Sequence, residues 1–355
     1  MTGRARGIAA PMRVGARWRP DAEVTLHEGD TLDLLGALPD ASAQLVITSP
    51  PYNLAKAYER GRRQTLEAYL EAQGRVIDEC VRILRAGGSI CWQVGNHVTA
   101  NEIVPLDVVL YPLFKRHPDL QLRNRVMWHF EHGLHCSRRL SGRYEVILWF
   151  TKGAEYRFDL DPIRVPQKYP GKRAWKGPRA GEYTGNPRGK NPGDVWIFPN
   201  VKANHIEKTI HPCQFPVELV ERFVLATTQP GDLVVDPYMG VGTTACAAVL
   251  HGRRAAGAEI VGEYVAIARQ RLALAAAGRL GVRPRTRPVH EPDPGSALAR
   301  RDEGTMAPRG RARARPPAQG LRIASRAGGS KHPEPPRQLQ LIERASRLRP
   351  GGRSS

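Results

Sequence analysis

The stretch that decides the fold reads Asp-Pro-Tyr-Met-Gly-Val-Gly-Thr-Thr and occupies residues 236–244. It follows a short apolar run and precedes small, helix-forming residues. Gly240 and Gly242 stand where the chain has to turn from a strand into a helix, and glycine lets the backbone approach a ligand closely. We expect Thr243 to be the N-cap of that helix. The stretch therefore predicts a strand–turn–helix unit that binds a ligand.

The sequence spacing between this turn and the next acidic strand end, Glu259, indicates the kind of ligand. Glu259 ends the next predicted strand, about 20 residues past Gly240, which is the spacing typical of a ribose-binding carboxylate. The stretch lacks the G-x-x-x-x-G-K-[ST] pattern of a triphosphate-binding loop. Asp236 suits a ligand with a positively charged amino acid moiety better than it suits a triphosphate. We therefore expect S-adenosylmethionine, rather than ATP, to bind here.

Predicted strands and helices alternate along most of the chain. This alternation indicates an α/β fold with a doubly wound, mostly parallel, Rossmann-like sheet that binds ligands at the carboxyl ends of its strands. The predicted strands are Val24–His27, Gln44–Thr48, Ser89–Val94, Arg125–Phe130, Glu145–Thr151, Leu233–Asp236 and Ala255–Glu259. The predicted helices are Thr31–Leu38, Thr65–Leu84, Ile103–Phe114, Phe215–Thr228, one from Thr243, and Gly262–Ala277. The strands after Arg125 and Glu145 have hairpin-like spacing, so we expect them at a sheet edge.

Changes in composition divide the chain into five parts. Residues 21–151 and 201–278 carry the two halves of the α/β domain, and residues 152–200 form a loop-rich insertion between them. Residues 1–20 and 279–355 are predicted to be disordered, since the basic tail is rich in Arg, Pro and Gly and has little apolar surface to bury. The tail either adds non-specific attraction to DNA or is a dispensable extension, and we favour the second interpretation.

Charge and cysteine content narrow the functional class. The formal net charge of +20 favours a polyanionic partner such as nucleic acid, although charge alone also fits a basic soluble protein. The five cysteines are scattered and form no C-x-x-C pair, which argues against disulfides and a zinc site, so no metal is expected. With no long apolar run and no signal peptide pattern, we expect a soluble cytoplasmic protein.

A second motif, Ser-Pro-Pro-Tyr at residues 49–52, follows another predicted strand. Alone it could be a chance proline-rich turn. Together with residues 236–244, however, it resembles motif IV beside motif I of the amino-methyltransferases that modify N4 of cytosine or N6 of adenine. Motif IV comes first here, an order similar to that of the permuted β class of site-specific DNA methylases. The resemblance covers residues 24–275 and implies S-adenosylmethionine as the methyl donor.

The resemblance assigns further cofactor-binding residues. His-Pro-Cys-Gln-Phe-Pro at residues 211–216 resembles motif X, which helps to hold the methionine end of the cofactor and places His211 and Phe215 there. Gly29-Asp30 resembles the strand that carries motif III, so Asp30 is expected to contact the adenine. Asp236, Tyr238, Gly240, Gly242, Thr243 and Glu259 complete the expected set. The segment at residues 143–152, which includes Glu145, resembles a segment that flanks the target-recognition region of that class. The simpler alternatives are that Asp30 and Glu145 are capping or surface carboxylates and that His211 is structural.

The Ser-Pro-Pro-Tyr motif is expected to do the chemistry. An exocyclic amine is a poor nucleophile, because its lone pair is delocalised into the ring. The Ser49 hydroxyl and the Pro50 carbonyl can accept its hydrogen bonds, and Pro50 and Pro51 hold that carbonyl in place. Tyr52 would stack on a target base flipped out of the duplex. Ser49 favours cytosine N4, since adenine enzymes more often carry Asp or Asn there, and adenine N6 remains the alternative.

The insertion at 152–200 is the candidate for DNA recognition. It mixes basic and aromatic residues, which suit phosphates, guanine edges and bases, although a solvated loop is the simpler alternative. The expected DNA-binding residues are Lys168, Lys172, Arg173, Trp175, Lys176, Arg179, Arg188 and Lys190.

Other functions remain open at this stage. The chain could be a non-catalytic DNA-binding protein or could methylate RNA or protein on the same fold. A restriction endonuclease is a possible companion, and both a monomer and a homodimer are compatible with the sequence. Cys213 lies within the motif X-like segment, away from the catalytic strand end, so it is not expected to be a nucleophile.

Overall fold

The computed structural model describes residues 12–54, 59, 61, 63–99, 102–130, 133, 135–167, 173–202 and 204–285. Within these residues the strands are β1 (Val14–Gly15), β2 (Val24–Glu28), β3 (Ala43–Thr48), β4 (Leu84–Val94), β5 (Asn96–Thr99), β6 (Glu102–Pro105), β7 (Leu120–His129), β8 (Tyr144–Lys152), β9 (Val195–Ile197), β10 (Leu233–Asp236) and β11 (Arg254–Glu259). The helices are α1 (Thr31–Ala37), α2 (Leu66–Ile83), α3 (Leu106–Lys115), α4 (Val217–Thr227), α5 (Thr243–Leu250) and α6 (Gly262–Ala276).

In the described part of the chain, nine strands form one sheet in the order β1-β2-β11-β10-β3-β4-β8-β7-β9. All neighbours are parallel except β8, which runs antiparallel to both β4 and β7. The late strands β10 and β11 lie between the early strands β2 and β3, with Val235 opposite Val46. The two predicted halves of the domain therefore share one sheet, and the fold is the doubly wound, mostly parallel α/β fold expected from the sequence.

Helices cover both faces of this sheet. On one face α4, α5 and α6 pack against side chains such as Leu45 and Val234. On the other face α1, α2 and α3 pack against alternate residues of the same strands, including Val46 and Val235. Because both faces are buried, every residue of β3 and β10 is buried, and residues 45–47 and 233–235 within them are continuous apolar runs rather than alternating ones.

Two expectations about the middle of the chain are wrong in detail. The predicted helix at Ile103–Phe114 begins only at Leu106, because Ile103 and Pro105 belong to β6, which pairs with β5. Pro105 is the N-cap of α3, a position where the missing N–H of proline costs nothing. In addition, β7 and β8 are not the sheet edge, since the short strand β9 pairs with the outer side of β7.

Each of the two predicted disordered ends includes residues that the structure shows to be packed. Residues 12–20 include β1, and residues 279–285 return to α4, where Arg283 lies 2.7 Å from the Glu218 carboxylate. Arg285 lies 3.2 Å from Glu221 on the same helix. The rest of both predicted segments lies outside the described residues. No helix in the described ranges is long and apolar enough to cross a membrane.

Candidate active site

A cleft opens at the carboxyl ends of β2, β3, β10 and β11. Four parallel strands end at this edge, so the loops that follow them meet there. The cleft has about 950 Å³ of empty space, which includes the open solvent at its mouth. Every residue predicted to bind the cofactor or to do the chemistry lines it, except Asp236 and Gly242. These lining residues are Asp30, Ser49, Pro50, Pro51, Tyr52, His211, Phe215, Tyr238, Gly240, Thr243 and Glu259.

The glycine turn is held in a conformation that other residues rarely adopt. Gly240 has φ 53° and Gly242 has φ 75°, both in the left-handed region. A Cβ atom at Gly242 would lie 2.8 Å from the Cβ of Ala268 on α6, so this glycine allows α5 and α6 to pack closely. Gly242, and not Thr243, is the N-cap of α5. The expectation for Thr243 is therefore wrong, because the left-handed turn places this residue inside the first helical turn.

Asp236 lies beneath the cleft rather than in its wall. Its carboxylate accepts hydrogen bonds of 2.6 Å from both the Thr48 and the Thr244 hydroxyls, and one of 3.1 Å from the backbone N–H of Tyr238. Burial raises the pKa of Asp236 to about 6, and these hydrogen bonds oppose the shift. The structure thus gives Asp236 a bracing role, in which it joins the strand of the Ser-Pro-Pro-Tyr loop to the strand and helix of the glycine turn.

Glu259 presents a carboxylate at the end of β11. Its Oε2 accepts a 3.1 Å hydrogen bond from the N–H of Gly240, and its Oε1 accepts one of 2.8 Å from the N–H of Val261. Burial raises the pKa of Glu259, while these hydrogen bonds oppose the rise. Two backbone groups therefore fix the carboxylate, and its remaining lone pairs suit a diol. Asp30, which follows the neighbouring strand β2, is the N-cap of α1 and accepts from the N–H of Leu32 at 2.8 Å.

His211 lines the cleft next to Gly240 as a neutral side chain. Burial lowers its pKa to about 4, and the positive charges of Lys208 and Arg271 act in the same direction. Its Nδ1 accepts a 3.2 Å hydrogen bond from the N–H of Cys213, which places the proton on Nε2, the nitrogen that faces Gly240. The exposed Cys213 also lines the cleft.

Sequence reasoning missed Arg271, which holds the glycine turn from behind. Arg271 is 6% exposed and donates to the Val241 carbonyl at 2.7 Å and to the Thr243 hydroxyl at 3.0 Å. It also lies 3.7 Å from the buried carboxylate of Glu207, which accepts from the N–H of Val217 at 2.9 Å. Arg271 lies on α6, outside every motif, and no spacing rule points to it.

The Ser-Pro-Pro-Tyr loop is joined to a half-buried carboxyl group. The Ser49 hydroxyl lies 3.1 Å from the Tyr52 hydroxyl, which in turn donates to Oε2 of Glu145 at 3.1 Å. The side-chain amide of Gln93 donates to the same Glu145 oxygen and lies 3.4 Å from the Tyr52 hydroxyl. Glu145 is therefore neither a cap nor a surface group, contrary to the alternative considered for it. Its 93-residue separation from Tyr52 left no local signal.

The same loop is fixed on its other side. The Tyr69 hydroxyl on α2 donates to the Pro51 carbonyl at 3.0 Å. Asn53 has φ 57° and exchanges two 2.8 Å hydrogen bonds with the backbone of Gln64. These contacts hold the loop in one conformation, so the hydroxyl and carbonyl groups of Ser49 and Pro50 are presented without further ordering.

None of the predicted DNA-binding residues that the structure describes lines the cleft, and Lys168 and Lys172 lie outside the described residues. Arg173 stacks over the ring of Tyr183 at 4.0 Å, and Arg179 pairs with Glu182 at 2.9 Å. Arg188 is held by Asp161. The remaining predicted residues are exposed, namely Trp175, which is 95% exposed, Lys176 and Lys190.

Strand directions show where the insertion joins the sheet. The insertion begins after β8 and ends at β9. Because β8 is antiparallel to β4, both of these points lie at the opposite ends of the strands from the Ser-Pro-Pro-Tyr loop. The connection from β7 to β8, by contrast, lies at the same edge as the cleft. It carries exposed Arg138, Arg139 and Leu140. This connection is a candidate DNA contact that no sequence motif indicates.

Comparisons with known proteins agree with this geometry. The profile of a DNA methylase family that comprises N6 and N4 enzymes matches residues 43–270. The chain is 50% identical over 246 residues to the type II methyltransferase M.BglII of Bacillus subtilis, covering 69% of this chain and 68% of that protein. It is 32% identical over 276 residues to the DNA adenine methyltransferase YhdJ of Escherichia coli K12, covering 74% and 88% of the two chains.

A solved structure gives the same fold with a cofactor bound. A protein of Thermus thermophilus, described as a DNA modification methylase and crystallised with S-adenosyl-L-methionine, superposes with a TM-score of 0.51 at 28% identity. The match covers 71% of this chain and 96% of that one.

The fold and the paired loops define an S-adenosylmethionine-dependent methyltransferase of the α/β type. Within that class, the chain belongs to the N6/N4 family of DNA methylases. Among the described residues no group of three or more His, Cys, Asp or Glu side chains could hold a metal ion.

Proposed function

We propose that this protein transfers the methyl group of S-adenosylmethionine to the exocyclic N4 amine of cytosine at specific sites in duplex DNA. The observation that carries the proposal is the position of Ser49 and Pro50 in the wall of the cleft that the glycine turn also lines. The cofactor supplies a methyl group on a sulfonium, a leaving group that departs as a neutral thioether. The protein's contribution is to bind, orient and polarise the amine.

The residues of the cleft fit this cofactor. The fixed Glu259 carboxylate at the end of β11 suits the two ribose hydroxyls. The left-handed Gly240 leaves space next to neutral His211, where a Cβ atom would come within 3.3 Å of the imidazole Nε2. Asp30 and Tyr238 line the same cleft and supply polar and aromatic surface for the adenine. Asp236 supports this wall through Thr48 and Thr244, and direct contact with the cofactor is not part of the proposal.

The catalytic loop is suited to an amine. The oxygen atoms of Ser49 and Pro50 accept the two amine N–H groups, which draws the nitrogen lone pair out of conjugation and towards the methyl group. Tyr52 offers its ring as the face against which a flipped base stacks. Positioning supplies most of the acceleration, because the reaction needs the amine, methyl carbon and sulfur in line.

Two candidates for the target base follow from the loop and from the relatives. Ser49 favours cytosine N4, because family members that act on adenine more often have Asp or Asn at this position. Adenine N6 is the second candidate, and the 32% identity to a DNA adenine methyltransferase supports it. Both amines would meet the same acceptors.

We further propose the DNA contacts and the biological setting. Exposed Trp175, Lys176 and Lys190 of the insertion and Arg138 of the β7–β8 connection contact the duplex, with Arg173, Arg179 and Arg188 in supporting positions. Similarity to type II methyltransferases supports a cognate restriction endonuclease as companion. All five cysteines are free, which fits a reducing cytoplasm.

The decisive experiment gives the protein labelled S-adenosylmethionine and unmethylated duplex DNA, and then separates the nucleosides by chromatography. Label in N4-methylcytosine is the expected result. Label in N6-methyladenine would change the assigned target base from cytosine to adenine and leave the class of reaction unchanged. Absence of label from DNA, with label in RNA or protein offered in parallel, would overturn the proposed function.

A further inference from the structure

The hydrogen-bonded chain Ser49–Tyr52–Glu145 ends in a carboxyl group that lies outside both the Ser-Pro-Pro-Tyr motif and the glycine turn. It runs from the loop after β3 to the second residue of strand β8 across two distances of 3.1 Å each. Gln93 on β4 holds both the Tyr52 hydroxyl and the Glu145 carboxylate from one side. Three different strands therefore position a single carboxylate behind the catalytic serine.

We propose that Glu145 is the proton acceptor of the reaction, reached through the hydroxyl groups of Tyr52 and Ser49. This inference rests on the proposed role of Ser49 as an acceptor for the target amine. Tyr52 lines the cleft whereas Glu145 does not, and Glu145 acts on the amine only through the two intervening hydroxyls.

The direction of the hydrogen bonds follows from the chemistry of the end groups. A carboxylate only accepts, so the Tyr52 hydroxyl has to donate to Glu145. The Tyr52 oxygen then accepts from Ser49, and the Gln93 amide is close enough to be its second donor. Because the Ser49 proton is committed to Tyr52, the Ser49 lone pairs face the cleft. Glu145 thereby fixes Ser49 as an acceptor, which is the state that an amine N–H requires.

The same hydrogen-bonded chain can accept the proton that the reaction releases. The amine nitrogen forms a bond to the methyl carbon, the C–S bond breaks, and sulfur keeps the electron pair. The methylated amine is then cationic and has to lose one proton. That proton passes to the Ser49 oxygen as Ser49 releases its own to Tyr52 and Tyr52 releases its own to Glu145. The carboxylate becomes a neutral carboxylic acid, which exchanges its proton with solvent after the product leaves.

The surroundings suit this role. Burial raises the pKa of Glu145, so its carboxylate is a stronger base than an exposed one, while hydrogen bonds from Gln93 and Tyr52 and the charge of Lys202 limit the rise. Burial and the neighbouring Glu145 charge keep the pKa of Tyr52 well above its usual value, with Cys213 acting in the same direction. Tyr52 therefore stays protonated and able to relay.

The test compares Glu145→Gln with the parent enzyme in single-turnover methyl transfer to duplex DNA. Glutamine keeps the size and a hydrogen-bond acceptor but cannot take a proton. We expect the rate to fall about 100-fold, the size of a typical general-base effect, with unchanged affinity for S-adenosylmethionine by calorimetry. Tyr52→Phe, which keeps the ring, should cost as much, and the double variant should be no slower than either single one. The matched control is Glu71→Gln, an exposed position on α2.

The pH profile separates this role from a structural one. The parent rate should fall on the acid side as Glu145 becomes protonated, and this fall should be absent from the Glu145→Gln profile. A Glu145→Gln enzyme with the parental rate and profile would overturn the inference. So would a loss of cofactor affinity and thermal stability that accounts for the whole loss of rate. If the parent itself places no label in DNA, the proposed function fails before Glu145 is in question.

Discussion

The hydroxyl of Thr48 donates a 2.6 Å hydrogen bond to the carboxylate of Asp236, and this contact joins the two sequence motifs of the family. Thr48 immediately precedes the Ser-Pro-Pro-Tyr loop, and Asp236 opens the glycine turn. The bond is buried and spans 188 residues of sequence, so it sets the distance between the catalytic loop and the cofactor wall.

Thr48→Val should remove this hydrogen bond between the two motifs and lower the stability of the fold. Valine has the shape of threonine but no donor, so the buried Asp236 carboxylate loses one of its partners. The free energy of unfolding should fall by about 1 to 3 kcal/mol in urea titrations. Thr244→Val removes the equivalent 2.6 Å bond from α5 and serves as the comparison. Unchanged stability in both variants would mean that the carboxylate finds other partners or is neutral.

Asp236 should also make stability depend on pH. Its pKa in the folded protein, about 6, exceeds that of an ordinary aspartate, so the folded state binds a proton more tightly than the unfolded state. Its contribution to stability is therefore complete at low pH and is lost as pH rises through about 6. Urea midpoints between pH 4 and pH 7 should decline less in Asp236→Asn than in the parent. An equal decline in the two proteins would contradict the assigned pKa.

Gly242→Ala should damage the cofactor wall. A left-handed backbone and a Cβ atom only 2.8 Å from that of Ala268 both oppose a side chain, so we expect a loss of about 2 kcal/mol or more in unfolding free energy and weaker binding of S-adenosylmethionine. Gly36→Ala is the matched control, because Gly36 lies within α1 with nothing within 4 Å of its built Cβ. That change should be neutral or stabilising. Equal effects at the two positions would refute the packing argument.

Arg271→Met should weaken cofactor binding without touching the cofactor. The variant loses the hydrogen bonds to the Val241 carbonyl and the Thr243 hydroxyl and leaves the Glu207 carboxylate without its buried cation. We expect an affinity loss of about tenfold by calorimetry and a lower unfolding temperature. Arg269→Met removes an exposed cation from the same helix and should change neither. Intact affinity in the Arg271 variant would show that the turn holds its shape alone.

Trp175→Ala tests the insertion as a DNA-contacting element. An indole that is 95% exposed contributes little to folding but offers a flat face for a base or sugar, so the variant should bind duplex DNA several-fold more weakly at fixed salt. Affinity for S-adenosylmethionine should be unchanged. Arg138→Ala, at the cleft edge of the sheet, should weaken DNA binding and reduce its salt dependence. If DNA affinity is unchanged in Trp175→Ala but reduced in Arg138→Ala, the β7–β8 connection, and not the insertion, is the DNA-contacting element.

The sheet and the cleft could be predicted from the sequence because both depend on local patterns. Buried parallel strands are apolar runs, and strand-end loops with Gly or Pro mark the ligand edge, so the pattern alone places Ser49, Gly240 and Glu259 at the cleft. The same pattern assigns Asp236 to the cofactor, because it shows only the position of this residue relative to the glycines. The two hydroxyl partners of Asp236 come from other elements, and they turn the carboxylate inwards.

The contacts that sequence reasoning missed are long-range. Glu145 reaches Tyr52 across 93 residues, and Arg271 reaches Val241 across 30. Neither residue lies in the catalytic or cofactor motifs, and an isolated Glu in a strand or Arg in a helix usually faces solvent. Only the sheet order, which places β8 beside β4, shows that Glu145 starts its strand next to the catalytic loop.

The sheet order also affects how the chain is made and folds. β3 is synthesised early, whereas its partner strand β10 follows almost 190 residues later. Leu45 therefore cannot pair with Val234 until that later part of the chain has been made. Until then the side of β3 that pairs with β10 has no neighbouring strand. Pairing at such sequence separation is slow, because a long loop has to close. A nascent chain that stops before β10 exposes an unpaired edge prone to aggregation. Folding of the central sheet, and with it the joining of Thr48 to Asp236, is therefore completed only when the last quarter of the described chain has emerged.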